Sequence, residues 1–212
     1  PGAGRSLFTR PGDLDLGAQH IEGRVLMVFG GFIKGWTAPL ARTLPMFLEG
    51  ADKAISVGDL EYHGYCRYAH ASYALMAGQP LARVSEYLEQ HLAAVTDSRH
   101  EKTRRIITMA RASVGRMRGL ANDSFADAFD DAENFQLWTE QADATSLAYF
   151  HKYKLLEALM AGDFDEVLFR ARRMTDNLNG ILGMPYQPFY QFYEALALIE
   201  LARRAPPARR QF

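Results

Sequence analysis

Apolar residues recur every three or four positions along most of this chain, the spacing that gathers them on one face of a helix. The segment 80–96 shows the pattern most clearly, with an apolar stripe made of Leu81, Val84, Leu88, Leu92 and Val95. The segment 186–204 carries a similar stripe made of Phe189, Phe192, Tyr193 and Leu196. The pattern therefore predicts a chain built mainly of helices.

Glycine, proline and aspartate residues divide this pattern into separate helices. Asp59 follows Gly58 and is placed to cap a helix, and Gly162-Asp163 is placed to end one helix and begin another. Pro45 predicts a kink or a late helix start within 39–57. The predicted helices cover residues 24–35, 39–57, 59–77, 80–96, 97–117, 124–138, 143–161, 163–178 and 186–204.

Breaker residues at the two ends of the chain set the predicted domain boundaries. Pro11-Gly12 and Gly17 indicate an irregular N-terminal segment over residues 1–22. The proline-rich stretch "APPARRQF" indicates a loose tail over residues 205–212. Between these segments we expect a single all-α helical-repeat domain, residues 23–204.

The residue census and one recurring corner sharpen the fold prediction. The chain has 30 alanines and 24 leucines against 7 valines and 7 isoleucines, which favours helices over a large sheet. "YALMAGQPLARV" (73–84) and "LEALMAGDFDEV" (156–167) share an Ala-Gly corner, with a looser copy in "AISVGDLEYHGY" (54–65). Gly78 and Gly162 are 84 positions apart, or two steps of 42, the size of a helix-pair repeat. We therefore expect an irregular α-solenoid of antiparallel helix pairs, tetratricopeptide-like, with a compact helical bundle as the alternative.

Charge and cysteine content restrict the partners and the compartment. The formal net charge is −1, and the basic runs at 99–118 and 170–173 alternate with acidic residues, so no nucleic-acid partner is expected. The longest apolar run, residues 25–33, is too short to span a bilayer, so no membrane insertion is expected. A single cysteine, Cys66, fits a reducing, cytoplasmic location. The chain begins at Pro1 instead of methionine, so we expect it to be a piece of a longer protein.

The stretch "VGDLEYHGYCRYAH" (57–70) contains the strongest candidate for metal chemistry. His63, Cys66 and His70 follow the i, i+3, i+7 spacing that places three metal-competent side chains on one helical face. A structural zinc site takes four ligands, however, and no companion His or Cys pair occurs in the chain. We therefore favour a packing or pocket-lining role for these residues and expect no metal and no cofactor.

Catalytic signatures are missing from the sequence. It contains no phosphate-binding G-x-x-x-x-G-K-[ST] loop, no G-x-S-x-G nucleophile elbow and no H-E-x-x-H zinc motif. We expect this chain by itself not to be an enzyme. The aromatic segments "FGGFIKGW" (29–36) and "QPFYQFYEAL" (187–196) are more typical of a core, but they are also candidates for lining a ligand pocket.

Five stretches of the chain carry a resemblance to a known family. They are "FGGFIKGWTAPL" (29–40), "LPMFLEGADKAISVGDLEYHGYCRYAH" (44–70), "AGQPL" (77–81), "KYKLLEALMAGDFDEVL" (152–168) and "PFYQFYEALALIEL" (188–201). In this order they resemble the helical-repeat region of large bacterial signalling proteins that join a serine/threonine kinase-like domain, an AAA-type ATPase, often a GAF sensor, and a sensor histidine kinase. Two positions depart from the family's pattern, since Gly35 stands where a histidine is usual and Ala51 where an aromatic residue is usual.

The resemblance implies a function without catalysis in this part of the chain. We expect a regulatory, protein-interaction module of a signal-transduction ATPase or kinase that binds a protein, a peptide or neighbouring domains of its own polypeptide. The candidate residues for the binding groove are Trp36, Tyr62, His63, Tyr65, His70 and Tyr153. The alternative is a small-molecule sensor with an aromatic-lined pocket, and a third possibility is the helical arm of a MalT-like transcription regulator. The sequence leaves the partner and the oligomeric state open.

Overall fold

The structure, a computed structural model, describes residues 11–95, 101–120 and 129–205, with the backbone alone for residues 11–18. Regular secondary structure in these ranges is entirely helical, which confirms the all-α class. Short π- and 3-10 segments occupy Phe29–Lys34, Leu40–Arg42 and Leu178–Gly180. The α-helices are α1 (Pro11–Val28), α2 (Gly35–Thr37), α3 (Leu44–Ser56), α4 (Leu60–Met76), α5 (Leu81–Val95), α6 (Glu101–Met117), α7 (Asp131–Glu140), α8 (Ala144–Ala161), α9 (Phe164–Asp176) and α10 (Tyr186–Arg204).

The N-terminal boundary differs from the predicted one. Helix α1 begins at Pro11, so the irregular segment predicted over 1–22 is wrong from residue 11 onward, while residues 1–10 lie outside the described ranges. Pro11, Gly12 and Gly17, the predicted breakers of this segment, all lie within this helix.

Other boundaries follow the predicted breakers closely. Pro45 lies in the first turn of α3, which confirms the late helix start. The Asp59 side chain caps α4 by accepting a hydrogen bond of 3.2 Å from the backbone N–H of Tyr62. The helix predicted over 124–138 begins only at Asp131 and continues to Glu140, and residues 121–128 and the tail from 206 lie outside the described ranges.

Several helices end in the same hydrogen-bonded corner. At the end of α8, Gly162 N–H donates to Leu159 O (3.1 Å) and Asp163 N–H donates to Ala158 O (3.0 Å), the pair of bonds that defines a Schellman motif. Gly162 has a φ of +72°, in the left-handed region that the motif requires. The same pair of bonds recurs at Gly58, Gly78, Gly119 and Ala142, each with positive φ.

Helices α4, α6 and α8 form the centre of the molecule. Helix α4 packs on α3, α5 and α6, whereas α8 packs on α6, α7, α9 and α10. Helix α1 covers α3 and part of α4. The largest fully buried side chains of the resulting core include Trp138, Tyr73, Tyr153, Tyr186 and Tyr190. Tyrosine is unusually prominent in this core, and each buried hydroxyl needs a partner.

Candidate functional site

Three of the six predicted groove residues lie at or near the surface. Trp36 is 55% exposed, and its indole N–H donates a hydrogen bond of 2.9 Å to Gly183 O. Tyr62 and Tyr65 are half-buried, and their ring centroids lie 5.6 Å apart in an edge-to-face arrangement. The structure therefore brings Tyr62 and Tyr65 together on α4 and leaves Trp36 as a separate exposed residue.

The other three predicted groove residues are buried in the core. His63 Nδ1 lies 2.9 Å from Ala51 O, which ties α4 to α3. His70 Nδ1 lies 3.0 Å from Nε2 of His91 on α5. Tyr153 is 2% exposed. None of these three side chains forms part of an open surface, and a role for them in partner binding stays a prediction.

The predicted metal-competent face of α4 is divided among different neighbours. His63 and His70 contact α3 and α5, as described above, whereas Cys66 Sγ lies 3.9 Å from Gly23 O on α1. Burial raises the pKa of the Cys66 thiol to about 12, which opposes the thiolate form that metals bind. Within the described ranges, no group of three or more His, Cys, Asp or Glu side chains is arranged to hold a metal ion.

An open groove of about 1040 Å³ runs across helices α7, α8 and α9, and we call it the α7–α9 groove. Phe135 and Phe169 line it and are 38% and 44% exposed. The guanidinium groups of Arg170 and Arg173 lie 5.2 and 5.1 Å from the centroid of the Phe169 ring. The groove thus presents exposed aromatic rings next to arginines, a composition enriched at protein–protein interfaces.

His151 forms part of the floor of the α7–α9 groove. Its Nδ1 atom lies 3.2 Å from a guanidinium nitrogen of Arg170, which identifies Nδ1 as the hydrogen-bond acceptor. Burial, and then the positive charges of Arg170 and Arg173, lower the pKa of His151 to about 4. The imidazole is therefore neutral at physiological pH and adds no charge to the groove.

A second, smaller cavity of about 340 Å³ lies where α1, α4, α6 and α8 meet. Its aromatic lining consists of Tyr62, Tyr65, Tyr68, Tyr149 and Phe32, and we call it the tyrosine pocket. Met27 and Met184 add two flexible sulfur-containing side chains to the lining. Flat rings and polarisable sulfur atoms are the groups that most often enclose small organic ligands.

Lys152 lies directly behind two tyrosines of this pocket and is fully buried. Its Nζ donates hydrogen bonds to Ser72 Oγ (2.7 Å) and to Tyr68 Oη (3.3 Å). Four tyrosine rings surround the amine with centroids at 4.1 to 5.5 Å, and we call this set, Tyr68, Tyr149, Tyr153 and Tyr186, the Lys152 cage. Among the described residues, no carboxylate forms an ion pair with Lys152.

Two opposing effects determine the charge of Lys152. The ring faces of the Lys152 cage attract the ammonium form, although no carboxylate among the described residues forms an ion pair with it. Removing an ammonium ion from water costs several kcal/mol, and the Ser72 and Tyr68 hydroxyls offset only part of this cost. Burial therefore lowers the pKa of Lys152 well below its usual value. A strongly perturbed lysine beside a cavity is a recognised mark of a functional site.

Sequence reasoning found part of the tyrosine pocket but not the lysine behind it. Tyr62 and Tyr65 were predicted groove residues, and Phe32 belongs to the aromatic segment 29–36 that was a candidate pocket wall. From the segment 187–196, no residue lines the pocket. Lys152 was missed because its burial depends on α4 and α10, which are distant in sequence.

We compared the chain with known proteins and found no relative. No protein family, curated protein or solved structure matches the chain. Across the described residues, none of the helices combines the length and the apolar character required to cross a bilayer.

Proposed function

We propose that this chain is a non-catalytic interaction module that binds a peptide segment of a protein partner in the α7–α9 groove. The open groove, with exposed Phe135 and Phe169 beside two arginines, is the observation that supports this function. An apolar anchor side chain of the partner would pack against the two rings, and charged residues on either side would pair with the mixed charges of the rim.

The packing of the helices supports an irregular α-solenoid, tetratricopeptide-like, as the scaffold of this module. Alternate helices pack on one another, α4 on α6 and α6 on α8. Helix α5 packs on α4 and α6, and helix α9 packs on α8 and α10. The positive-φ corner at Gly119 lies 41 positions after Gly78 and 43 before Gly162, which continues the 42-residue step. A compact helical bundle is the alternative, and it would not require such a regular spacing of corners.

We base the proposed source of the peptide segment on the resemblance to multi-domain signalling kinases. In such proteins the helical region lies next to kinase and ATPase domains, so a neighbouring domain of the same polypeptide is one source of the peptide segment. A separate protein partner is the other. Occupancy of the groove would regulate a linked domain only if the partner binds one conformation of the module better than another.

Selection from a peptide library tests the groove directly. Peptides displayed on phage would be selected on the purified chain and their affinities measured by fluorescence polarisation. The Phe169→Glu variant replaces an exposed aromatic ring of the groove lining by a charge and should weaken binding by about tenfold or more. The matched control is Phe192→Glu on α10, because Phe192 is also exposed, at 59%, but lies outside the groove.

The two variants give a clear decision. Peptides that lose affinity for Phe169→Glu and keep it for Phe192→Glu support the groove. Failure to select any peptide, or selected peptides that bind both variants equally well, would refute it. Alanine substitutions at Trp36, Tyr62 and Tyr65 would show in the same assay whether these residues take part in binding.

A further inference from the structure

The tyrosine pocket and the Lys152 cage share two side chains. Tyr68 and Tyr149 line the pocket, and the centroid of each ring also lies 5.5 Å from Lys152 Nζ. One layer of side chains therefore separates the amine from the cavity. The pocket volume of about 340 Å³ lies at the lower end of the range of small-molecule sites and suits a ligand of one or two rings.

The described lining of the tyrosine pocket includes no aspartate or glutamate, and Lys102 is its one charged residue. Lys102 Nζ is already paired with Asp143 at 2.8 Å, whereas Lys152 forms hydrogen bonds to hydroxyl groups and, among the described residues, no ion pair.

Lys152 lacks the partner that a buried ammonium ion binds best. Within the described part of the chain, its hydrogen bonds go to the hydroxyl oxygens of Ser72 and Tyr68. A carboxylate would provide a charge-assisted hydrogen bond and neutralise the amine in a medium of low dielectric constant. A ligand in the adjoining pocket would supply that carboxylate if the Tyr68 ring, which lies between pocket and amine, moved aside.

We propose that the tyrosine pocket binds a small aromatic carboxylate, whose ring packs against Tyr62, Tyr65 and Phe32 and whose carboxylate pairs with Lys152 once the Tyr68 ring turns aside. This site is separate from the α7–α9 groove, so it does not depend on the proposed peptide binding. For the alternative function, a small-molecule sensor, the proposal names the class of ligand and the residue that recognises it.

Titration calorimetry with a matched pair of compounds tests the proposal. The probes are 2-naphthoate and its uncharged analogue 2-naphthamide, added to the full chain at neutral pH. We expect saturable binding of naphthoate, with the amide weaker by about tenfold or more because it cannot pair with the amine.

Three variants locate the bound carboxylate. Lys152→Met should weaken naphthoate binding by about thirtyfold or more, whereas Lys154→Met, two positions further along α8 and outside the pocket, should not change it. Val28→Trp fills the pocket from its rim without contacting Lys152 and should also abolish binding. This variant keeps the proposal testable even if Lys152→Met fails to fold.

Several results would overturn the proposal. One is the absence of saturable naphthoate binding, and another is equal affinity for the amide. A third is binding that survives Lys152→Met or Val28→Trp. A fourth is binding that is lost in Lys102→Met, because the carboxylate would then pair with the exposed lysine at the rim.

Discussion

The Nδ1 atom of His70 lies 3.0 Å from the Nε2 atom of His91, and both imidazoles are almost completely buried between α4 and α5. One ring must donate the shared proton and the other must accept it, so at least one of the two is neutral. The other nitrogen of His91, Nδ1, has no hydrogen-bond partner among the described residues. Among the described residues neither ring forms an ion pair with a carboxylate, and the positive charge of Arg67 opposes protonation of both.

Acid should destabilise the fold through its buried histidines. Burial lowers the pKa of His70 to about 4 and of His91 to about 3, and His151 titrates near 4. Below pH 6.5 the unfolded chain binds protons at these positions and the folded chain does not, so stability falls as the pH falls. We expect the free energy of unfolding to decrease by roughly 3 kcal/mol between pH 6 and pH 5.

Urea denaturation at a series of pH values measures this effect. The His151→Gln variant removes one of the three groups and should reduce the slope of stability against pH by about one third. The substitution also changes the free energy of unfolding at neutral pH, but this change is the same at every pH and does not affect the slope. A stability that stays constant from pH 7 to pH 5 would show that the histidines are accessible to protons in the folded state.

Replacing Lys152 should not weaken the fold. The Lys152→Met variant exchanges a buried amine for an apolar side chain of similar length, and such exchanges are often neutral or stabilising by about 1 kcal/mol or more. Ser72 Oγ keeps its 2.9 Å hydrogen bond to Tyr186 Oη in the variant. Denaturant midpoints would be compared with those of Lys154→Met, which breaks ion pairs with Asp131 and Glu157.

We expect the Lys154→Met control to lose about 1 kcal/mol, because its two carboxylate partners are partly buried. If Lys152→Met is instead the more damaging change, by several kcal/mol, then the amine holds the Lys152 cage together. The lysine would in that case be a structural residue, and its burial would no longer mark a binding site.

Ala142 occupies a position that favours glycine. Its φ of +50° lies in the left-handed region, where a Cβ atom costs roughly 1 kcal/mol, and it closes the same Schellman corner that glycine closes at Gly162. Ala142→Gly should therefore raise the free energy of unfolding by about 1 kcal/mol. Gly162→Ala should lower it by a similar amount, because the added Cβ atom would be held at positive φ. No side chain or backbone atom lies within 4 Å of this Cβ, so no clash adds to the cost.

Thermal and urea unfolding of these variants would measure the two shifts. Ala195→Gly, at an exposed position inside α10, is the control for the general effect of glycine and should lower stability by about 1 kcal/mol. Loss of stability in Ala142→Gly comparable with that of the control would mean that the corner at α7 does not hold Ala142 at positive φ in solution.

Gly180 lies in the segment between α9 and α10, at a close approach to the backbone at the start of α8. A Cβ atom there would lie 2.4 Å from the backbone nitrogen of Thr145, a contact that the rigid start of α8 cannot relieve. Gly180→Ala should therefore destabilise the fold by about 3 kcal/mol. Gly115→Ala, inside α6 with no neighbour near the added atom, should stabilise it by about 1 kcal/mol. Equal unfolding midpoints for the two variants would contradict this packing.

The corners of the fold were predictable from sequence because their signals are local. Gly162 followed by Asp163 combines a residue that accepts positive φ with one that caps the next helix, and both act within a few positions. The helix predicted over 24–35 overlaps only the end of α1, because Pro11, Gly12 and Gly17 are typical breakers and yet lie within a helix here. The packing of α1 on α3, which involves residues distant in sequence, is not visible in this local signal.

The candidate sites were much less accessible to sequence reasoning. Lys152 and Lys154 are two positions apart on α8, yet one is fully buried and the other pairs with carboxylates at the edge of the α7–α9 groove. Residues two apart point in different directions on a helix, but the sequence does not show which direction is the interior. The tyrosine pocket likewise draws on four helices and has no contiguous motif.

The corner between α8 and α9 has a consequence for insertions. Only Gly162 and Asp163 separate the two helices, and both take part in hydrogen bonds that end one helix and start the other. One inserted residue would rotate α9 by about 100° about its axis and carry its buried stripe, Val167, Ala171 and Met174, toward solvent. The number of residues in the corner, whatever their side chains, therefore determines which face of α9 is buried.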